Sequence, residues 1–178
     1  MKTKEMEYAL YNYFSGAFPL ITTNITYLKD FVYHECDILM ASKANLLTEI
    51  EIKVSKSDFK ADFKKRHEHD SPGIKHQYFA FPKDVLDDEI IEMIPKHFGI
   101  IICYKTKYTE TYMKKIPIEK TSYYVRVIRK PKASPYYNKT KLSDKDLINL
   151  YRLSGFRYWT GKLRELKHEG LYLERKIK

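Results

Sequence analysis

Apolar residues at Met6, Leu10, Tyr13 and Phe14 recur near helical spacing from Lys4 to Phe14 and stop before Ser15, Gly16 and Pro19. This predicts a first amphipathic helix. From Asn24 the residues become β-branched and aromatic, and Phe31 to Met40 mixes buried-looking and polar positions in the manner of a strand, ahead of a turn at Ser42 to Asn45. Leu46 to Val54 carries the sharpest pattern: Ile50, Ile52 and Val54 alternate with Glu49, Glu51 and Lys53. Period two predicts a strand with one apolar and one charged face, so the three charged side chains share a side. Ser55 and Asp58 then form an S-x-x-D cap, and Phe59 and Phe63 lie four apart, predicting a helix over Lys56–Arg66.

The break at Asp70, Ser71, Pro72 and Gly73 is followed by two apolar runs, His76 to Phe81 and Phe98 to Tyr104, which read as strands, with a short helix over Val85–Ile94 between them. Tyr123 to Ile128 predicts an edge strand, Arg129 to Lys141 a basic connector, and Leu142 to Leu166 a further helix capped by Ser143 and Asp146. Strands interspersed with helices predict an α/β fold: one domain over residues 1–178, with a mixed sheet flanked by helices over about 4–128 and a helical C-terminal addition after the basic linker at about 129–178.

Composition narrows the setting. No apolar run approaches the length of a bilayer span, and the charged N-terminus lacks a secretory h-region, so a cytoplasmic protein with no membrane association is expected. Cys36 and Cys103 each sit in a strand-like stretch; two isolated thiols fit neither a disulfide framework nor a zinc site, and both read as reduced core residues. The formal net charge of +10 favours a polyanionic partner, nucleic acid foremost, because each phosphate neutralised by Lys or Arg releases a condensed counterion.

The charged face of the alternating strand supplies the candidate chemistry. Phosphodiester hydrolysis needs a cation to neutralise transition-state charge and an activated water, and hard carboxylate oxygens suit Mg²⁺ or Mn²⁺. A short turn at Ser42 to Asn45 pairs the flanking strands antiparallel, which brings Asp37 beside Glu51. Lys53, two residues beyond Glu51, projects from the same face and can orient the attacking water or stabilise phosphate charge.

Asp37 followed by Glu51-Ile52-Lys53 resembles the D...(D/E)-x-K signature of the PD-(D/E)XK nuclease superfamily, with Cys36 where proline is common. The run EIKVSKSDFKADFKK at Glu51 to Lys65, then YFAFPKDV and FGIIICY, is similar to the branch containing the MmcB-like DNA repair proteins. The resemblance implies a restriction-endonuclease-like core and catalysis by Asp37, Glu51 and Lys53. The implied metal ligands are Asp37, Glu51, the backbone carbonyl of Ile52, and a glutamate on the first helix, for which Glu7 fits better than Glu5. It also implies DNA as substrate, in repair, recombination or mobile-element processing, and allows a homodimer.

Lys56, Lys60, Lys64, Arg66 and His67 would present a basic surface to the phosphate backbone, and Gln77 could reach a phosphate or a base. His67 and His69 diverge on an ending helix and make no histidine metal site. Glu49 shares the charged face but lies outside the motif and reads as structural. The same alternation would also arise on the solvated face of an edge strand. Two other functions are open to such a chain: a nucleic-acid-binding module with a nuclease fold but no turnover, and a protein-interaction domain.

Overall fold

The computed structural model describes residues 1–62, 71–112 and 116–168. The element order is α1 (Thr3–Phe14), β1 (Leu20–Ile25), β2 (Cys36–Ala41), β3 (Leu47–Ile52), α2 (Lys56–Asp62), β4 (Ile74–Pro82), α3 (Asp88–Met93), β5 (Gly99–Tyr112), β6 (Ile116–Arg129) and α4 (Asp144–His168). The chain divides into two compact units, Met1–Lys141 and Leu142–Lys178.

The first unit is a six-stranded mixed sheet in sequential order, β1 to β6. β2 pairs antiparallel with both β1 and β3; β3, β4 and β5 run parallel, and β6 returns antiparallel to β5. Parallel neighbours need crossovers, and α2 and α3 lie in the two connections that supply them. The apolar runs of the sequence form β4 and the first half of β5, because a parallel strand covered on both faces has no solvent side to make polar.

Helices flank both faces. On one, Met6, Leu10 and Phe14 of α1 pack on Ile38, Met40, Ile50, Ile52, Ala80, Ile101 and Cys103. On the other, Phe59 of α2 and Ile90 of α3 close over Phe79, Phe81, Phe98 and Ile100. Phe59 meets the Phe79 and Phe81 rings edge-on at centroid distances of 5.5 and 5.4 Å, and Phe79 stacks on Phe98 at 4.8 Å. Alternation along β3 and β4 therefore sends residues of one parity to α1 and those of the other to α2 and α3.

The expected β2–β3 hairpin forms. Asn45 takes a left-handed φ of 59° and donates to the Ser42 carbonyl, while the Ser42 hydroxyl accepts from the Leu46 amide. The Ser55–Asp58 cap also forms, with the Asp58 amide on Ser55 Oγ and the Val54 amide on the Asp58 carboxylate. Ser143 and Asp146 cap α4 in the same reciprocal way.

The expected strand over Phe31–Met40 begins only at Cys36. Residues before it are held in a loop: Leu28 bridges Val32, the Gly73 amide donates to the Phe31 carbonyl, and the Tyr33 amide donates to Ser71 Oγ. Glycine is needed at position 73, since a Cβ there would lie 2.4 Å from Phe31 Cα. β1, not expected from the sequence, pairs with β2 at the sheet edge. β5 and β6 are each 14 residues long, well beyond the expected runs, and pair from Ile100–Arg129 out to Tyr112–Ile116.

The expected core ended near residue 128, but the connector is part of the first unit. Arg129 donates to the carbonyls of Phe98, Pro95 and Ile94, the Lys132 amide to His97, and the Ser134 amide to Lys75. The basic strip is thereby laid along the end of α3 and the start of β4. No helix among the described residues is long and apolar enough to cross a membrane.

Candidate functional site

β3 is an interior strand, paired on one side with β2 and on the other with β4, so its charged residues are buried and the solvated-edge alternative does not hold. Glu49 is 0% exposed, and Glu51 and Lys53 are 6% each. Charged groups are almost never this buried without a specific partner. Ile38 pairs with Ile50, so one step along the antiparallel register sets Asp37 beside Glu51, as the hairpin predicts.

Asp37 is half-buried and accepts the Ile52 amide at 2.8 Å, so the residue between Glu51 and Lys53 is fixed to the Asp37 carboxylate through its N–H. Lys53 Nζ donates to Glu51 Oε2 at 3.2 Å and lies 6.0 Å from the centre of the Phe79 ring, which sits next to Glu51 across the β3–β4 ladder. Burial is the largest influence on Asp37 and raises its proton affinity; the Ile52 amide and Lys53 oppose this, while Asp58 and Glu35 add to it.

Glu7 of α1 is brought close enough that the Asp37 charge, after burial itself, raises its proton affinity too. Glu5 is committed elsewhere: it bonds Lys105 Nζ at 2.7 Å and the Lys2 amide at 2.8 Å, which hold its carboxyl down at about 2. Of the residues singled out from the sequence, Asp37, Glu51 and Lys53 therefore lie together at one end of β3, with Glu7 near enough to feel the Asp37 charge. Asp37 and Glu51 offer carboxylate oxygens, the donor type a hard divalent cation takes, and Asp37 and Glu7 both resist ionisation.

The expected basic surface is differently engaged. Lys56 bonds Asp87, the N-cap of α3, and Lys60 bonds Glu89 at 2.7 Å, so both tie α2 to α3. Lys64, Arg66 and His67, with His69, lie outside the described residues. Gln77 is 1% exposed and donates to Glu49 Oε2 at 3.0 Å, which directs it inward.

Glu49 belongs to a second cluster that the sequence did not reveal. His34 Nε2 bonds Glu49 Oε1, Ser71 Oγ lies 2.9 Å from His34 Nδ1, and Cys36 Sγ lies 3.7 Å from His34 Nε2. Burial opposes ionisation of Glu49 more than any other single influence, yet the His34 bond, the His34 charge and the Gln77 bond together hold its carboxyl below the ordinary value. Cys36 is a buried free thiol as expected, and it also adjoins this cluster: burial and then the neighbouring Glu49 push it far up. Cys103 is the core residue expected, raised by burial to about 12. The sequence signal for the cluster was the H-x-C at His34 and Cys36 next to the surplus acid at Glu49, but only the fold brings Ser71 and Gln77 to it.

No protein-family model matches the chain, and no curated protein does. Among solved structures, its fold is similar to that of the SPO1766 protein of unknown function from Silicibacter pomeroyi, with a TM-score of 0.51 and 13% identity over 94% of this chain and 92% of that one.

Proposed function

We propose that this chain is a metal-dependent nuclease of the PD-(D/E)XK type, with a restriction-endonuclease-like core, that hydrolyses DNA phosphodiester bonds. The observation that carries the reading is the burial of Glu51 and Lys53 on an interior strand beside Asp37. Burying a carboxylate and an ammonium costs several kcal/mol per ion, about what their mutual attraction returns, so stability alone gives little reason to keep them. Asp37 beside Glu51, with Lys53 bonded to Glu51, is the kind of carboxylate and ammonium arrangement that metal-assisted phosphodiester hydrolysis uses.

Mg²⁺ or Mn²⁺, when bound, supplies the charge that neutralises the phosphate in the transition state. Asp37, Glu51 and Glu7 offer carboxylate oxygens, and Ile52 a backbone carbonyl. The Ile52 amide fixes the Asp37 carboxylate, so that acid is oriented before any ligand arrives. Lys53, held against Phe79 and Glu51, is placed to orient a water or to meet charge on a phosphate oxygen. The net charge of +10 assists approach of a polyanion.

The test is cleavage of labelled single-stranded, duplex and branched DNA in Mg²⁺, Mn²⁺ or EDTA, comparing wild type with Lys53→Ala. The reading expects metal-dependent cleavage that the substitution reduces at least a hundredfold, the scale of losing one transition-state contact. Wild-type protein that binds these DNAs and cuts none is a binding module instead.

A further inference from the structure

We propose that His34 Nε2, Cys36 Sγ and Glu49 Oε1 form a binding site for a transition-metal ion of the zinc class, with different ligands and a different metal preference from the carboxylate site at Asp37 and Glu51. The proposal does not depend on nuclease activity.

The three ligand atoms lie within 4.8 Å of one another. Zinc–nitrogen and zinc–sulfur bonds of about 2.0 and 2.3 Å at tetrahedral angles set nitrogen and sulfur about 3.5 Å apart. The His34 Nε2 to Cys36 Sγ separation is 3.7 Å. The His34–Glu49 hydrogen bond has to open, to about 3.3 Å, for an ion to enter between them.

The outer partners are in place. Ser71 Oγ engages His34 Nδ1 and leaves Nε2 directed at the cluster, and Gln77 Nε2 bonds Glu49 Oε2 and leaves Oε1 for the ion. A hydrogen bond to the far nitrogen of a ligating histidine, and another to the far oxygen of a ligating carboxylate, is how metal sites orient their ligands. Charge points the same way. With the Cys36 proton and the His34 Nε2 proton both released to solvent, a thiolate, a carboxylate and a neutral imidazole around a divalent ion sum to zero. A neutral assembly suits a site in which Cys36 and Glu49 are fully buried. The His34 side chain, 10% exposed, marks the route in from solvent.

Ligand softness sets the preference: thiolate and imidazole favour zinc, cobalt or copper over magnesium and manganese. An ion here would clamp the loop before β2 to β3, one residue from Asp37, and so fix that acid's position.

The experiment is titration of the metal-free full chain with Co²⁺, following the thiolate-to-cobalt charge-transfer absorption. The expected result is a band that saturates at one equivalent, is displaced by Zn²⁺ and not by Mg²⁺, and persists in Cys103→Ser and Asp37→Asn but is lost in Cys36→Ser. Ser71→Ala should weaken binding tenfold or more. Folded wild-type protein that gives no such band, or a band that survives in Cys36→Ser, overturns the site. Should Cys36→Ser fail to fold, loss of the band in Cys103→Ser overturns it equally, and its persistence there assigns the thiolate to Cys36. Wild-type protein that cleaves DNA but gives no cobalt band would refute this site alone, and wild-type protein that gives the Cys36-dependent band but cleaves no DNA would refute only the nuclease reading.

Discussion

Replacing Lys53 by Met keeps the length and much of the shape of the side chain and removes its charge, so it isolates what the ammonium does for β3. The partner carboxylate of Glu51 lies 3.2 Å away, and the two side chains are 7% and 8% exposed. At that depth solvent screens little, and removing one member of a buried ion pair typically costs about 3–5 kcal/mol because the other charge stays behind in a poor solvent. With a urea m-value of about 2 kcal/mol/M, the unfolding midpoint of the metal-free protein should fall by about 1.5–2.5 M. The double variant Glu51→Gln/Lys53→Met removes both charges and should recover most of the loss, giving a coupling energy of about 2 kcal/mol or more in the double-mutant cycle. Mg²⁺ restores a cation next to Glu51 and should stabilise Lys53→Met more than wild type, where the lysine repels it. Urea unfolding of the four proteins, with EDTA and with Mg²⁺, measures all of this. A midpoint for Lys53→Met within 0.3 M (on the order of 0.5 kcal/mol) of wild type, or strictly additive single effects, would refute the argument that the pair is electrostatically coupled in the interior.

Glu7→Gln should reduce metal-dependent cleavage tenfold or more, whereas Glu5→Gln, whose carboxylate is held by Lys105, should leave it within about twofold; equal losses in a steady-state assay would remove Glu7 from the site. Gly73→Ala should destabilise by about 1–3 kcal/mol and loosen the loop that carries His34, since its Cβ would meet Phe31 backbone; an unchanged melting temperature would show that the loop yields freely. His76 and His97 are both held below the usual histidine value by burial, so the unfolded chain takes up protons first as pH falls below about 6.5, and stability should decline from there downward. The same melts on His76→Gln should show a flatter decline between pH 7 and 5, and a parallel curve would assign the effect elsewhere.

Elements whose stability is written locally were legible. The alternation of Ile50 and Ile52 with charged residues specified β3, the Ser42–Asn45 turn specified its antiparallel neighbour, and the capping pairs at Ser55–Asp58 and Ser143–Asp146 marked two helix starts. β1 was not legible because Thr22, Thr23 and Asn24 give it no apolar run, and it exists by pairing with β2. The outer halves of β5 and β6 are polar as well; they support each other as a ladder, a contact with no signature in either segment alone. Phe31 and Val32 read as strand because they are buried, but their burial comes from a loop fastened to residues 71 and 73. Alternation could say that Glu49, Glu51 and Lys53 share a face, not whether that face meets water, because the answer depends on β4 and α2.

The two groups of charges around β3 differ in a way that bears on their roles. Glu49 is wholly buried and held on both oxygens, by His34 and by Gln77, so it is fixed before any partner arrives. Asp37 and Glu7 are only half-buried, and both resist ionisation. An acid that the fold leaves short of positive charge, yet within reach of solvent, is one whose free energy falls when a cation arrives. On the nuclease reading these are the acids that meet ion and substrate, with Lys53 behind them. Glu49 then acts from beneath, setting the strand that carries Glu51. This ordering predicts that Glu49→Gln, which keeps shape and hydrogen-bonding capacity, lowers stability more than it lowers activity per folded molecule, while Asp37→Asn abolishes activity with the fold retained. Far-UV circular dichroism and melting beside the cleavage assay separate the two, and the opposite pattern would place the working acid at position 49.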